Sequence, residues 1–200
     1  MNKLTLRKEK KEKAHLITLV LLALYFSLFE ALIPKPFPWM KFGLANISTI
    51  IAIKNFGSKM GFKVFLLRVV IQALVMGTLV TPSFVLSFSA GLMSTLLMIF
   101  LFKYRKYFSI LAISSISAVV HNITQLVVAY FLLFKGINLY SKSIFFFVIL
   151  FILTGWISGI ILGYLINKFE KNSNVFDNKF GGLSNEKKIF WNRWNKRRSK

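Results

Sequence analysis

Residues 83–102 read SFVLSFSAGLMSTLLMIFLF, and residues 103–106 read KYRK. The first of these segments has 20 residues and no charged side chain. That length crosses the hydrocarbon core of a bilayer, because a helix rises about 1.5 Å per residue through a core about 30 Å thick. A basic segment directly after such a run is typical of a cytoplasmic flank. Residues 83–102 are therefore predicted to form a transmembrane helix.

Five further apolar segments accompany this one, and the chain of 200 residues is 56% hydrophobic, with mean hydropathy +0.62. They are Ala14–Ile33, Phe42–Asn55, Gly61–Val80, Phe108–Phe134 and Ile144–Ile166. Three prolines in residues 34–38 end the first segment, since proline cannot continue a helix. No small-residue cleavage site follows that segment, so it is interpreted as a retained helix and not as a signal peptide.

These segments predict an all-α fold, a polytopic membrane bundle of six transmembrane helices over residues 14–166. Residues 1–13 form a basic leader before the bundle. Residues 167–200 form a basic tail, for which we expect either disorder or contact with an anionic membrane surface through Trp191 and Trp194.

The distribution of Lys and Arg predicts the orientation of the bundle. Of 27 such residues, 22 fall on one side of the six segments and 4 on the other, with Arg68 inside a segment. Lys35, Lys41, Lys135 and Lys142 are the 4 on the minority side. Under the positive-inside rule, both termini are cytoplasmic. The expected location is the cytoplasmic membrane of a bacterium, with the lipid bilayer as the first partner.

Composition also argues against several functions. The net charge of +21 lies in the tails and in the short gaps between apolar segments, so nucleic-acid binding is not predicted. Without cysteine the chain has no disulfide, thiolate ligand or thiol nucleophile. With two histidines and few carboxylates, no metal site, cofactor or catalytic residue is predicted. A P-loop pattern is missing, so the chain cannot by itself couple ATP hydrolysis to transport.

Ionisable groups inside membrane segments are candidate functional residues, because they are unfavourable there unless paired or hydrated. Glu30 lies near the outer end of the first segment. Its side chain either reaches the outer interface or lines the rim of an outward-facing cavity near Lys35 or Lys41. Arg68 is deeper, with Gln72 one turn further along the same face. It either clamps the bundle through ion pairs and carbonyl groups or belongs to a binding site.

Amide and imidazole groups form a second set of candidates. His121, Asn122 and Gln125 lie near the middle of the fifth segment at helical spacings. They act either as interhelical hydrogen-bonding groups or as the lining of a cavity. Asn46 belongs to the short second segment, and short hydrophobic segments often mark the binding site of a transporter.

Small residues recur at every fourth position in two segments. Gly155, Gly159 and Gly163 are interpreted as a helix-packing stripe, and Ala23, Ser27 and Ala31 as a second stripe. Such stripes allow close approach of helices. They serve either packing within the bundle or docking of a partner protein.

Several of these residues together resemble a known family. The stretch from Lys41 to Asn46 reads KFGLAN, and residues 121–125 read HNITQ; Arg68, Pro82 and Gly91 lie between them. This combination resembles the bacterial membrane family called Gx transporter, also labelled heptaprenyl diphosphate synthase component I, over roughly residues 15–165. Position 90 is alanine where the family pattern suggests glycine.

The resemblance implies two functions. The family is similar to the substrate-binding subunits of energy-coupling-factor transporters, which have six helices and dock on a membrane partner driven by two ATPases. It implies docking through Ala23, Ser27 and Ala31. The synthase label implies instead a non-catalytic accessory of a soluble prenyl synthase subunit. Prenyl elongation requires Mg²⁺ held by clustered carboxylates, and the membrane segments contain no such cluster.

The leading hypothesis is a small-molecule binding or transport subunit energised by partner proteins. Its expected pocket is lined or supported by Glu30, Lys41, Asn46, Arg68, Gln72, His121, Asn122 and Gln125. The cationic candidates outnumber Glu30, which favours an anionic ligand. A bundle whose polar groups serve only packing is the remaining alternative.

Overall fold

The computed structural model describes residues 3–32, 43–133 and 142–180. Within these ranges the chain is helical throughout apart from short turns, and the predicted all-α fold with six helices in order is confirmed. The helices are α1 (Lys3–Leu32), α2 (Asn46–Phe56), α3 (Ser58–Val75), α4 (Pro82–Lys103), α5 (Ile110–Leu133) and α6 (Lys142–Phe180).

Helices α2 and α3 form an antiparallel hairpin with one residue, Gly57, between them. The φ of Gly57 is 92°, a conformation that side-chain-bearing residues rarely adopt, and its N–H donates to the Ile53 carbonyl at 3.0 Å. Gly61 packs directly against the Ile53 side chain. This contact sets the register of the hairpin, in which residues equally distant from Gly57 lie side by side.

Helix α1 packs along the hairpin. Leu19 and Val20 form an apolar cluster with Ala52, Met60 and Val64, which removes these side chains from solvent. The amino-terminal half of α1 also lies beside the α2–α3 turn. There the Glu12 carboxylate is 3.6 Å from the Lys63 ammonium, and the His15 and Phe56 rings are in tilted contact with 4.8 Å between centroids.

Helix α4 runs back along α3 after a tight turn. Gly77 has a φ of 65°, and Thr78 N–H donates to the Ala73 carbonyl at 2.8 Å, which ends α3 with an αL glycine cap. Pro82 occupies the first turn of α4. An N–H group at this position would have no acceptor within the helix, so proline loses no hydrogen bond there. Phe65 of α3 packs on Gly91 of α4, so the two helices approach closely there.

The glycine stripe of α6 lies against α5. A Cβ atom on Gly159 would collide with the Ser115 Cα, one on Gly163 would lie 2.7 Å from the Leu111 Cα, and one on Gly155 would lie 3.2 Å from the Ala118 carbonyl oxygen. The obstacles are mostly backbone atoms, which cannot rotate away. The absence of a side chain at these positions therefore sets the distance between the helices.

Four helical segments are long and apolar enough to cross a bilayer within the described ranges. They are Glu12–Glu30, Pro82–Lys103, Ile110–Leu132 and Val148–Lys168. Helix α2 differs because its 11 residues span about 16 Å, half the hydrocarbon core. Helix α3 has 18 residues and carries Lys59, Lys63 and Arg68. The hairpin is thus the least apolar part of the bundle.

Two helices extend beyond their predicted ends. Helix α1 begins at Lys3, within the predicted leader, and α6 continues through the beginning of the predicted tail to Phe180. Residues 168–180 contain neither glycine nor proline, so nothing in that segment ends the helix before Gly181. The chain divides into two compact units, Met1–Gly163 and Tyr164–Lys200, and all packing described above lies in the first.

The contact at Gly159 generates a prediction. Gly159→Ala places a Cβ against the α5 backbone, so we expect the free energy of unfolding in detergent to fall by about 1–3 kcal/mol. The matched control is Ile157→Ala, a truncation at a position of the same helix that is 54% exposed. Equal stability of both variants, measured by thermal unfolding, would contradict the packing role of the glycine.

Candidate functional site

Glu30 joins the end of α1 to the start of α2. Its Oε1 accepts a hydrogen bond from Gly43 N–H at 3.1 Å, and its Oε2 accepts one from Leu44 N–H at 3.0 Å. The side chain is 4% exposed, so it does not extend to the surface of the chain. Gly43 has a φ of 79°, which turns its N–H and the next one toward the same carboxylate.

The hairpin register places Asn46 at the level of Arg68, since each lies 11 residues from Gly57. Both side chains are buried, with 2% and 5% of their surface exposed. The Arg68 guanidinium lies over the Phe65 ring, with Cζ 6.0 Å from the centroid, and interacts electrostatically with Glu30. Eleven residues correspond to about 16 Å from the hairpin turn, near the middle of a hydrocarbon core.

Three atoms of this region have no hydrogen-bond partner among the described residues: Arg68 Nε, Asn46 Oδ1 and Thr49 Oγ1. Thr49 lies one turn from Asn46 on α2 and is fully buried. A buried polar atom left unpaired destabilises a protein by about 1–3 kcal/mol, and more when it is charged. We call Glu30, Asn46, Thr49 and Arg68 the Arg68 cluster. Its three unpaired atoms are one hydrogen-bond donor, one acceptor and one hydroxyl oxygen.

A second polar region lies between α4 and α5. Ser94 Oγ and His121 Nδ1 are 3.5 Å apart, and Gln125 lies one turn further along α5 with 1% of its surface exposed. We call this region the α4–α5 seam. Its members are Ser94, Ser114, Ser117, His121 and Gln125, all of them buried.

The structure separates Asn122 from its neighbour His121. The Asn122 amide donates to the Phe151 carbonyl of α6 at 2.9 Å and lies against Gly155. Adjacent residues on a helix point about 100° apart, and that rotation directs His121 to α4 and Asn122 to α6. Asn122 thus contributes to the α5–α6 packing, while His121 and Gln125 remain in the seam.

Two further predicted pocket residues lie elsewhere. Gln72 is half-buried, and its amide nitrogen is 3.9 Å from the Met76 sulfur, one turn along α3 and outside the Arg68 cluster. Lys41 lies outside the described residues, as do Lys35 and the proline-rich segment 34–38.

Two residues of the predicted docking stripe of α1 are buried. Ala23 is fully buried and Ser27 is 5% exposed, because the chain's own helices cover this face. These two residues therefore present no open surface to a partner; the side chain of Ala31 lies outside the described part. The exposed face of α1 carries large apolar residues instead, at positions that include Ile17, Leu21 and Tyr25.

Sequence analysis missed the hydroxyl residues of the seam, Ser94, Ser114 and Ser117. Single serines and threonines inside apolar helices are common, so each one carried little information. The available signal was the spacing of Ser114, Ser117, His121 and Gln125, which are three or four residues apart and share one face of α5.

The described ranges contain no group of three His, Cys, Asp or Glu side chains placed to hold a metal ion. The Arg68 cluster offers hydrogen-bonding groups and the charge of one arginine near one glutamate, and the α4–α5 seam offers hydroxyl, imidazole and amide groups. This arrangement can bind and orient a polar group, and it contains no paired carboxylates.

Comparison with known protein families places the chain. A family model described as heptaprenyl diphosphate synthase component I matches residues 19–169, which include α2 to α5, parts of α1 and α6, and both polar regions. No curated protein and no solved structure matches the chain. Since the matched residues make up about three quarters of the chain, it belongs to the heptaprenyl diphosphate synthase component I family.

Proposed function

We propose that this protein is a membrane subunit that binds a small polar molecule at the Arg68 cluster and acts together with partner proteins. The observation that carries the proposal is the pair formed by Arg68 Nε and Asn46 Oδ1. A donor and an acceptor lie at the same depth of the bundle, and neither has a partner among the described residues. Binding of a ligand that both accepts and donates would satisfy the two groups together.

The charges of the Arg68 cluster indicate the charge of the ligand. Glu30 opposes the charge of Arg68, so the cluster does not require an anion for neutrality. The Glu30 carboxylate is already engaged by two backbone N–H groups. A neutral group with adjacent donor and acceptor atoms, such as a carboxamide or a lactam, therefore suits the cluster better than the anionic ligand that the sequence favoured.

Energy for transport would come from partners, since the sequence contains no P-loop. An energy-coupling membrane subunit with ATPases is the partner that the resemblance to substrate-binding subunits implies. Transport and these partners are part of the proposal.

The family description supports a second candidate function, that of a membrane accessory to a heptaprenyl diphosphate synthase. In this case a soluble subunit would supply the carboxylates for Mg²⁺, because the described part of this chain holds no such cluster. The accessory would place the synthase at the membrane, where a long prenyl product is soluble.

We also propose that both termini face the cytoplasm of a bacterial cell. The Glu12–Lys63 ion pair and the contact between the His15 and Phe56 rings bring the basic leader and the basic α2–α3 turn to one end of the bundle. This proximity supports the orientation derived from the positive-inside rule.

The ligand hypothesis is tested by mass spectrometry of small molecules that copurify with the protein. We expect a compound bound to the wild type and reduced about 10–100-fold by Arg68→Gln, which removes a charged hydrogen-bond donor. The matched control is Arg105→Gln, because Arg105 also lies over a phenylalanine ring, at 5.9 Å, but at the α4–α5 turn.

Thr49→Val separates binding from folding. The Thr49 hydroxyl has no partner among the described residues, so its replacement by an isosteric methyl should leave stability unchanged or raise it. Loss of the copurifying compound with retained thermal stability supports the site. Recovery of the same amount of compound from wild type, Arg68→Gln and Thr49→Val proteins would overturn it.

Affinity purification from native membranes distinguishes the two functions. The binding-subunit function predicts copurification of ATPase subunits, and the accessory function predicts copurification of a prenyl synthase whose membrane-bound activity falls when this protein is deleted. Isolation of neither partner under mild detergent conditions would contradict both.

Topology is testable directly because the chain contains no cysteine. We expect Val80→Cys to react with a membrane-impermeant maleimide on intact cells and Lys106→Cys to react only after lysis. Both positions are exposed, and they lie in the turns at opposite ends of α4. The reverse pattern, or labelling of both on intact cells, would refute the orientation.

A further inference from the structure

Hydroxyl groups inside the helices fall into two classes. Many donate to a carbonyl of their own helix: Ser94 to Gly91 at 3.1 Å, Ser115 to Leu111 at 2.9 Å and Thr124 to Val120 at 2.8 Å. This bond is the ordinary way to satisfy a hydroxyl in a membrane helix. Thr95, Ser114 and Ser117 do not form it.

These three hydroxyls are also completely enclosed. Their residues are 0%, 1% and 0% exposed, and their oxygens have no hydrogen-bond partner within the described ranges. Two of them, Ser114 and Ser117, share one face of α5 with His121 and Gln125. This stripe runs from Ser114 to Gln125, which are eleven residues apart, and this separation corresponds to about 16 Å along the helix.

The contact between Ser94 and His121 sets the register across the seam. Because α4 and α5 are antiparallel, Met98 lies near the level of Ser117, and Leu101 near the level of Ser114. The stripe therefore extends from the middle of the bundle toward the turn that carries Lys103 and Arg105. Donors and acceptors recur at each helical turn along it.

We infer that the α4–α5 seam binds a file of internal water molecules that extends from His121 toward the Lys103 end of the bundle. A buried water is held by two to four polar groups, and the seam offers hydroxyl, imidazole and amide groups at successive turns. The file gives the polar interior a hydrated connection to one side of the membrane. This inference is independent of the ligand proposed for the Arg68 cluster.

Radiolytic footprinting tests the water file, because hydroxyl radicals generated from a bound water oxidise the side chains beside it. Met98 and Met60 are a matched pair, 1% and 4% exposed. Met60 lies in the apolar cluster with Leu19, Val20, Ala52 and Val64. Met98 follows Ser94 by four residues, one turn along α4 and near the level of Ser117. Met76, 36% exposed in the α3–α4 turn, reports oxidation by bulk water.

We expect Met98 in the full-length protein to be oxidised about fivefold faster than Met60, since only the former has water beside it. The double variant Ser114→Ala, Ser117→Ala removes two groups that hold the file, and it should lower Met98 oxidation to the level of Met60 while Met76 is unchanged. Equal protection of Met98 and Met60 in the wild type would overturn the inference. The inference would also be overturned if Met98 were oxidised at the same rate in the double variant as in the wild type.

Discussion

The Glu30 carboxylate is the group on which the arrangement of the polar interior depends. It accepts two backbone N–H groups at the start of α2 and acts electrostatically on Arg68 of α3. Three helices are thereby tied together near one end of the hairpin. An arginine inside a membrane bundle needs an opposing charge or hydration, and Glu30 supplies the first of these.

The hairpin of α2 and α3 explains how so polar a cluster is accommodated. A short helix and a helix with three cationic residues are poor membrane spans taken singly. Here α1 packs along them through an apolar cluster, and α4 covers Phe65 through Gly91. Irregular or polar segments are tolerated at membrane depth where protein or water surrounds them, and the hairpin meets that condition through its neighbours.

Helix α5 contacts its two neighbours through different interactions, close backbone packing at the glycine stripe and polar side chains at the seam. On one face of α5, three glycines of α6 bring two backbones into contact and exclude solvent. On another face, buried hydroxyl groups have no hydrogen-bond partner among the residues that the structure describes. Close packing determines the first interface, while the second contains polar groups that could form hydrogen bonds with water or a ligand. Membership of the heptaprenyl diphosphate synthase component I family is compatible with both proposed functions.

The sequence by itself determined the helical class and the number of helices, because backbone groups in hydrocarbon must bond within their own segment and apolar length is read directly from the residues. It also indicated the rare buried polar side chains, such as Glu30, Arg68 and His121. Only the tertiary structure decided their partners. Glu30 joins Gly43 through a positive-φ glycine, and His121 and Asn122 separate by 100° of helix rotation. Ala23 faces inward. The sequence could not predict these contacts, because each depends on which neighbouring helix lies opposite a given face.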